Sequence, residues 1–337
     1  MLLIDGSSGE GGGQILRTSL SLAMVTGMPV RIKRIRASRP KPGLMRQHLA
    51  CVRAAEAVCG AAVSGADIGS TEVTFRPNKI KAGNYSFSVG TAGSTVLIFQ
   101  TVLPALALAD EASNISFQGG THNDFAPSFD FVLESYLRVL KSLGFNVESE
   151  LLQHGFYPQG GGQWRVLINP TPSIARLELL EAGNLISREA VVTSGNIPGH
   201  VAQRELAEIK KLSGWQGDEL RAKTVTCLGS GNIVSMRLHH ENCTEVIEHV
   251  GKVGVSAERV ARRVVKDIRR YQAAEVPVGR RLADQLLLPM AIGQGGVFRT
   301  LKPSKHTLTN IDVLGQFLEK PFSVTELNRD VWEIQLD

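Results

Sequence analysis

The feature that most restricts how this chain can fold is a glycine cluster that returns. Glu10-Gly11-Gly12-Gly13-Gln14 reappears as Gln159-Gly160-Gly161-Gly162-Gln163, and a third cluster, Gly293-Gln294-Gly295-Gly296, precedes a strand-like segment leading to His306. Glycine turns recurring between strand-like and helix-like segments point to a duplicated α/β unit, used two or three times. The second copy carries Gln where the first carries Glu10. If the first copy holds chemistry, the second is structural.

The local pattern supports such units. Leu2 to Asp5 reads as a strand, and a helix runs from about Ile15 to Met24 and stops at Gly27. Strand, glycine loop and helix is the arrangement in which backbone N–H groups converge on an anion. The loop fits neither the Walker nor the dinucleotide pattern, so a plain tight turn remains the other reading. Val30 to Ile35 alternates as a strand, Arg39-Pro40-Lys41-Pro42-Gly43 is a rigid turn, and Leu44 to Cys59 is a helix ended by Gly60. Ser94 is placed to cap an almost wholly apolar, hence buried, helix. Gln100 within it is either a satisfied core amide or a contact facing a cleft. A further helix is expected from Ala126-Pro127 to Leu143.

From about Leu180 to Ala274 the texture changes, marking an inserted α/β domain (181–274) within a large domain of residues 1–180 and 275–337. Lys223–Leu228 and Ile233–Leu238 flank Gly229-Ser230-Gly231-Asn232 and read as a hairpin. Ser256 caps a helix to Tyr271 bearing Arg259, Arg262, Arg263, Lys266, Arg269 and Arg270. These cations form either a solvated face or a guide for an RNA backbone.

Seven cations between Arg31 and Arg46 have no acid among them, which beside the glycine loop suggests phosphate binding as readily as a solvated face. The net charge of +5 points the same way, mildly. His306 stands in Lys302-Pro303-Ser304-Lys305-His306-Thr307-Leu308-Thr309-Asn310, among hydroxyls and amides. A neutral imidazole there can be a nucleophile, general base or metal ligand, or a histidine in a surface turn. Asp284 and Gln285, in an apolar run, are either a polar contact point or a helix-start pair.

Cysteines 51, 59, 227 and 243 form no Cys-x-x-Cys pair, which excludes the common zinc and disulfide frameworks and favours reduced thiols in a cytosol. The start of the chain turns acidic too soon for a signal peptide, and no apolar run is long enough to span a membrane. A cytoplasmic protein is the expectation.

Taken together, Gly9 to Arg17, Arg36 to Leu44, Arg46-Gln47-His48, Thr91 to Ser94, Gly119-Gly120-Thr121 with Ala126-Pro127, Leu282 to Gln285 and His306 to Asn310 resemble the RNA 3′-terminal phosphate cyclases, in family order across nearly the whole chain. The resemblance implies a domain of three repeated units, each a four-stranded sheet with two helices, and a smaller inserted α/β domain. It implies an ATP-dependent ligase that turns an RNA 3′-phosphate into a 2′,3′-cyclic phosphodiester, through a histidine–AMP adduct and an RNA-adenylate. His306 matches the nucleophile. Glu10 matches a ligand of Mg²⁺ or Mn²⁺ bridging the ATP phosphates, and Arg17, Arg36 and Arg39 match phosphate clamps, with Gln47 and His48 supporting. Gln100, Asp284 and Gln285 match nucleotide contacts, with Leu282 and Ala283 in the same segment, and Pro127 would pack on adenine. Arg281 departs from a position often aromatic in the family; a guanidinium can also stack on a base. The expected partner is RNA with a 3′-phosphate end, with monomer and homodimer both open. The competing reading is a non-catalytic relative that binds RNA or assists ribosome assembly.

Overall fold

The structure is a computed structural model describing residues 1–318 and 321–337. The first unit comprises β1 (Leu2–Asp5), α1 (Gly13–Thr26), β2 (Val30–Lys33), α2 (Arg46–Cys59), β3 (Ala62–Ser64) and β4 (Val73–Arg76). The second comprises β5 (Asn84–Ser88), α3 (Thr95–Ala107), β6 (Ser113–Gly119), then α4 (Phe129–Phe131) running through a π turn into α5 (Leu137–Ser142), β7 (Asn146–Gln153) and β8 (Gly162–Asn169). A third begins with β9 (Leu177–Leu179). It is interrupted by β10 (Leu185–Gly195), α6 (His200–Ser213), β11 (Leu220–Thr224), β12 (Gly231–His240), β13 (Thr244–Val250) and α7 (Ala257–Ala274). It then resumes with α8 (Arg280–Ile292), β14 (Gly296–Thr300), α9 (Lys305–Phe317), β15 (Ser323–Glu326) and β16 (Trp332–Leu336).

The three units share one topology. Their sheets run β1-β2-β4-β3, β5-β6-β8-β7 and β9-β14-β16-β15. In each, the first two strands pair in parallel across a helix, and the remaining pairs are antiparallel. The duplicated unit is therefore present, but the glycine clusters are not its equivalent points. Gly11–Gly13 turn a strand into a helix, Gly160–Gly162 lie between β7 and β8, and Gly293–Gly296 lie between α8 and β14. Sequence similarity aligned turns of different kinds.

One core runs through all three units and a second through the inserted sheet with α6 and α7. Every residue of α3 except Gln100 is buried, as its composition requires. Each Val, Leu, Ile or Phe there contributes about 1.5–3 kcal/mol of burial. Helices α1, α3, α8 and α9 pack on one another, bringing the first unit against the third. All four cysteines are free and buried, and no helix among the described residues is long and apolar enough to cross a membrane.

Three local expectations are corrected. Ser94 stands at the N-cap of α3, but its hydroxyl makes no cap bond; the entry to the helix is held instead by Gln47 Oε1 and the Gly120 carbonyl, which accept from the N–H groups of Ser94 (3.0 Å) and Thr95 (2.9 Å). The next helix starts at Phe129, because Ser128 caps it through Phe131 N–H. The expected hairpin does not form. β11 pairs in parallel with β10, which separates it from β12, while β12 forms its hairpin with β13.

Candidate active site

The sequence motifs converge where the loop before α1 meets the starts of α8 and α9. Glycine makes that approach possible. Gly9 has φ +56°, and a Cβ there would collide with the Thr309 hydroxyl. Thr309 instead accepts the Glu10 N–H at 2.9 Å, which fixes the Glu10 backbone to α9. Glu10 is largely buried. Its Oε1 is ion-paired with Arg39 and lies 3.7 Å from His306 Nε2, and its Oε2 is buried without a hydrogen-bond partner.

His306 is the second residue of α9, whose first turn is closed by Ser304 accepting from Thr307 N–H at 3.1 Å. Burial pushes its pKa down, against the Asp284 carboxylate, which pulls it up; Arg17 and Arg39 push it further down. The positive end of α9 acts in the same direction. The imidazole is therefore neutral at physiological pH, with half its surface open. Asp284, in the first turns of α8, is 8% exposed, and burial raises its pKa. Its Oδ2 accepts from Gln285 Nε2 at 3.0 Å, its Oδ1 has no partner, and Gln285 Oε1 accepts from Gln100 Nε2. The one position of α3 that is not buried thus contributes to this site.

A hydrogen-bond chain holds the two units in register. Arg17 donates to Gln14 Oε1 (2.6 Å), Gln14 to Thr18 Oγ1 (3.3 Å), Thr18 to Asn310 Oδ1 (2.7 Å), and Asn310 to the Asp284 carbonyl (3.1 Å). A cavity of about 30 Å³ beside Arg17, Gln100, Asp284 and Asn310 has room for about two waters. Gln14, Thr18, Thr309 and Asn310 carried no assigned role in the sequence reading. Gln14, Thr309 and Asn310 were signalled only by membership of the quoted motifs, and Thr18, one residue beyond the first motif, had no signal at all.

The other candidates are placed as follows. Arg36, at φ +53°, donates from Nη1 to the carbonyls of Lys41 (2.7 Å) and Gly43 (2.8 Å), so it shapes the turn that carries Arg39. Gln47 is tied to the start of α3. His48 accepts from Met45 N–H at 3.2 Å, and burial, Arg17 and Arg36 depress its pKa to about 3. Leu282 and Ala283 are buried in the core. Arg281 lies over the Phe131 ring at 5.8 Å. Pro127 is buried; it precedes Ser128, whose N–H and hydroxyl bond Glu248, and Glu248 lines the same cleft as Arg281.

Among the described residues, the protein-only grouping suited to a metal is Glu134, Glu189 and His239, away from Glu10. Arg237 already occupies its centre, bridging Glu134 at 2.8 Å and Glu189 at 3.1 Å. Glu10 offers the better chemistry for a hard cation: a buried, unpartnered carboxylate oxygen at a site open to phosphate ligands.

Three β-α-β-α-β-β units with an inserted sheet, and motifs from both ends of the chain gathered into one cleft, define the class to which this fold belongs. The profile of the family described as RNA 3′-terminal phosphate cyclase matches residues 8–324, and the chain belongs to that family. An RNA 3′-terminal phosphate cyclase of Koribacter versatilis (strain Ellin345) is 44% identical over 327 residues, 97% of this chain and 92% of that protein.

Proposed function

We propose that this chain uses ATP to convert an RNA 3′-terminal phosphate into a 2′,3′-cyclic phosphodiester, with His306 as the nucleophile. The observation that carries the reading is the pairing of a neutral, half-open imidazole with the buried carboxylate of Glu10, 3.7 Å away. In the first step His306 Nε2 bonds to the α-phosphorus of ATP as the bond to the β-phosphate oxygen breaks and pyrophosphate leaves. The AMP then passes to an oxygen of the RNA 3′-phosphate, breaking the N–P bond. Finally the vicinal 2′-hydroxyl attacks the 3′-phosphorus, its proton passing to solvent, as the phosphoanhydride P–O bond breaks and AMP leaves.

Each side chain has a task in that sequence. Glu10 would hold Mg²⁺ or Mn²⁺, which supplies charge neutralisation at the phosphates. Arg17 and Arg39 supply fixed positive charge near the transferring group. Arg36 and Gln47 position the elements that carry Arg39 and the start of α3. Asp284 and Gln285, braced by Gln100, bind the nucleotide over the buried Leu282 and Ala283, while Pro127 and Arg281 flank the base. Four free thiols support a reducing compartment, the cytoplasm.

The test is the intact mass of the protein after incubation with ATP and Mg²⁺, before and after mild acid. An acid-labile adenylate is expected in the wild type and none in His306→Ala, whose stability should change by less than about 0.5 kcal/mol because the residue is exposed. A normal adenylate in that variant removes His306 from the role. A folded, ATP-binding wild type with no adduct favours the non-catalytic RNA-binding reading. The pH profile sharpens the assignment. The reactive form is neutral and the pKa is lowered, so the adenylylation rate should stay flat as pH falls past the ordinary histidine value of 6.5 and drop only below it. Asp284 raises that pKa, so Asp284→Asn should move the acid limb to still lower pH.

A further inference from the structure

We propose that the outer face of α7 is the docking surface along which single-stranded RNA approaches His306. The inference rests on the proposed cyclisation for the identity of its polyanion, whereas the charge pattern stands by itself. The apolar side of α7, including Val260, Val264, Ile268 and Tyr271, is packed into the core of the inserted sheet. Its flanks are also engaged: Arg262 pairs with Glu208 at 2.7 Å, Arg269 donates to the Leu212 carbonyl, and Asp267 pairs with His249 at 2.7 Å. That leaves Arg259, Arg263, Lys266 and Arg270, all exposed. Their spacing of four, three and four residues puts them on one stripe, roughly 16 Å long at 1.5 Å per residue.

Among the described residues none of these four side chains has an ion-pair partner. Like charges spaced this way repel one another along the helix, so the stripe costs stability unless a polyanion covers it. It also leads somewhere. At its C-terminal end Arg270 lines a cleft of about 240 Å³ together with Arg280 and Arg281 and the acids Glu245, Glu248 and Asp267, and Arg281 stands in the first turn of α8, which packs on α9, the helix whose first turn carries His306. The open face of α7 therefore leads to a cleft whose three arginines stand beside three carboxylates, at the start of the helix that packs on α9. A regular cationic array without exposed apolar residues fits a phosphodiester backbone. A membrane-surface helix would need its apolar side exposed, and that side of α7 is buried.

The test uses full-length protein without ATP. A fluorescent RNA of roughly 12 nucleotides with a 3′-phosphate is titrated across a series of KCl concentrations, and binding is read by anisotropy. Arg259→Gln/Arg263→Gln/Lys266→Gln, which preserves helix propensity, should weaken binding about tenfold or more. It should also lower the slope of log K against log salt by about 2, since each single-strand phosphate contact contributes about 0.7. A 3′-phosphorylated dinucleotide, which ends within the cleft, should bind both proteins alike. Equal affinity and slope for the longer RNA overturn the proposal. So does an equal loss for the dinucleotide, and so does a wild type that binds acidic phospholipid vesicles and not RNA. Turnover is not involved, so the two readings fail separately. RNA held on α7 without adenylylation would refute cyclisation alone, and cyclisation with unaltered binding in the variant would refute the docking surface alone.

Discussion

Glu10-Gly11-Gly12-Gly13-Gln14 and Gln159-Gly160-Gly161-Gly162-Gln163 differ at one residue in five, yet they do different things. The first opens α1 and lays a carboxylate between Arg39 and His306. The second is a turn between two strands, closed by Gly160 N–H on the Phe156 carbonyl (2.7 Å) and by Gln153 Nε2 on the Gly161 carbonyl (2.9 Å). A Cβ on Gly161 would strike Leu228, in the loop between β11 and β12, so this turn seats the inserted sheet against the second unit. A glycine run specifies a tight backbone, and the elements packed around it determine its use.

That contrast can be broken by substitution. The largest effect is expected for Glu10→Gln, which keeps the shape and removes the charge. Metal-dependent adenylylation should fall about 100-fold or more, some 2.7 kcal/mol of barrier, with circular dichroism unchanged. Gly161→Ala should come next and in a different quantity. With φ at +72° and Leu228 in the way, denaturant titration should report a loss of about 1–3 kcal/mol, while adenylylation per folded molecule stays near wild type. Gln159→Ala, at an exposed position, should be smallest: under about 0.5 kcal/mol and under about twofold in rate. If Gln159→Ala slowed adenylylation as much as Glu10→Gln, the metal assignment would fall with the contrast.

Much of this was legible in the chain itself. Strand and helix positions in the first unit follow from periodicity and from Gly27 and Gly60, both left-handed at the ends of their helices. Gln100 stood out because it was polar in an apolar helix, and it contributes to the site. What could not be read depends on distant neighbours. Ser94 looks like a cap, but its hydroxyl is unused and Gln47, from another unit, holds the backbone there by accepting the Ser94 N–H. The partner of β11 is β10, not the strand that follows it. Thr309 and Asn310 act on residues nearly 300 positions away, and no local pattern encodes such a bond. The run from Arg31 to Arg46 read as phosphate binding or a solvated face because no acid stands among its seven cations. The acids that neutralise Arg31, Arg34 and Arg39 are Glu72, Asp5 and Glu10, all outside the run. The four open charges of α7 have no ion-pair partner among the described residues, which no local pattern could tell.

The interruption of the third unit also sets an order of assembly. β9 pairs in parallel with β14, Leu177 with Gly296, so it must wait for more than a hundred residues of chain before its partner exists. During synthesis the first two units have all their strands before Asp284 and His306 emerge, and domains generally fold as units from the N-terminus. Closure of the last sheet is thus the most non-local pairing, which on topology is expected to form late, and α9, which carries His306, belongs to that same unit. A nascent or truncated chain can hold most of the fold yet lack the partner that Glu10 faces.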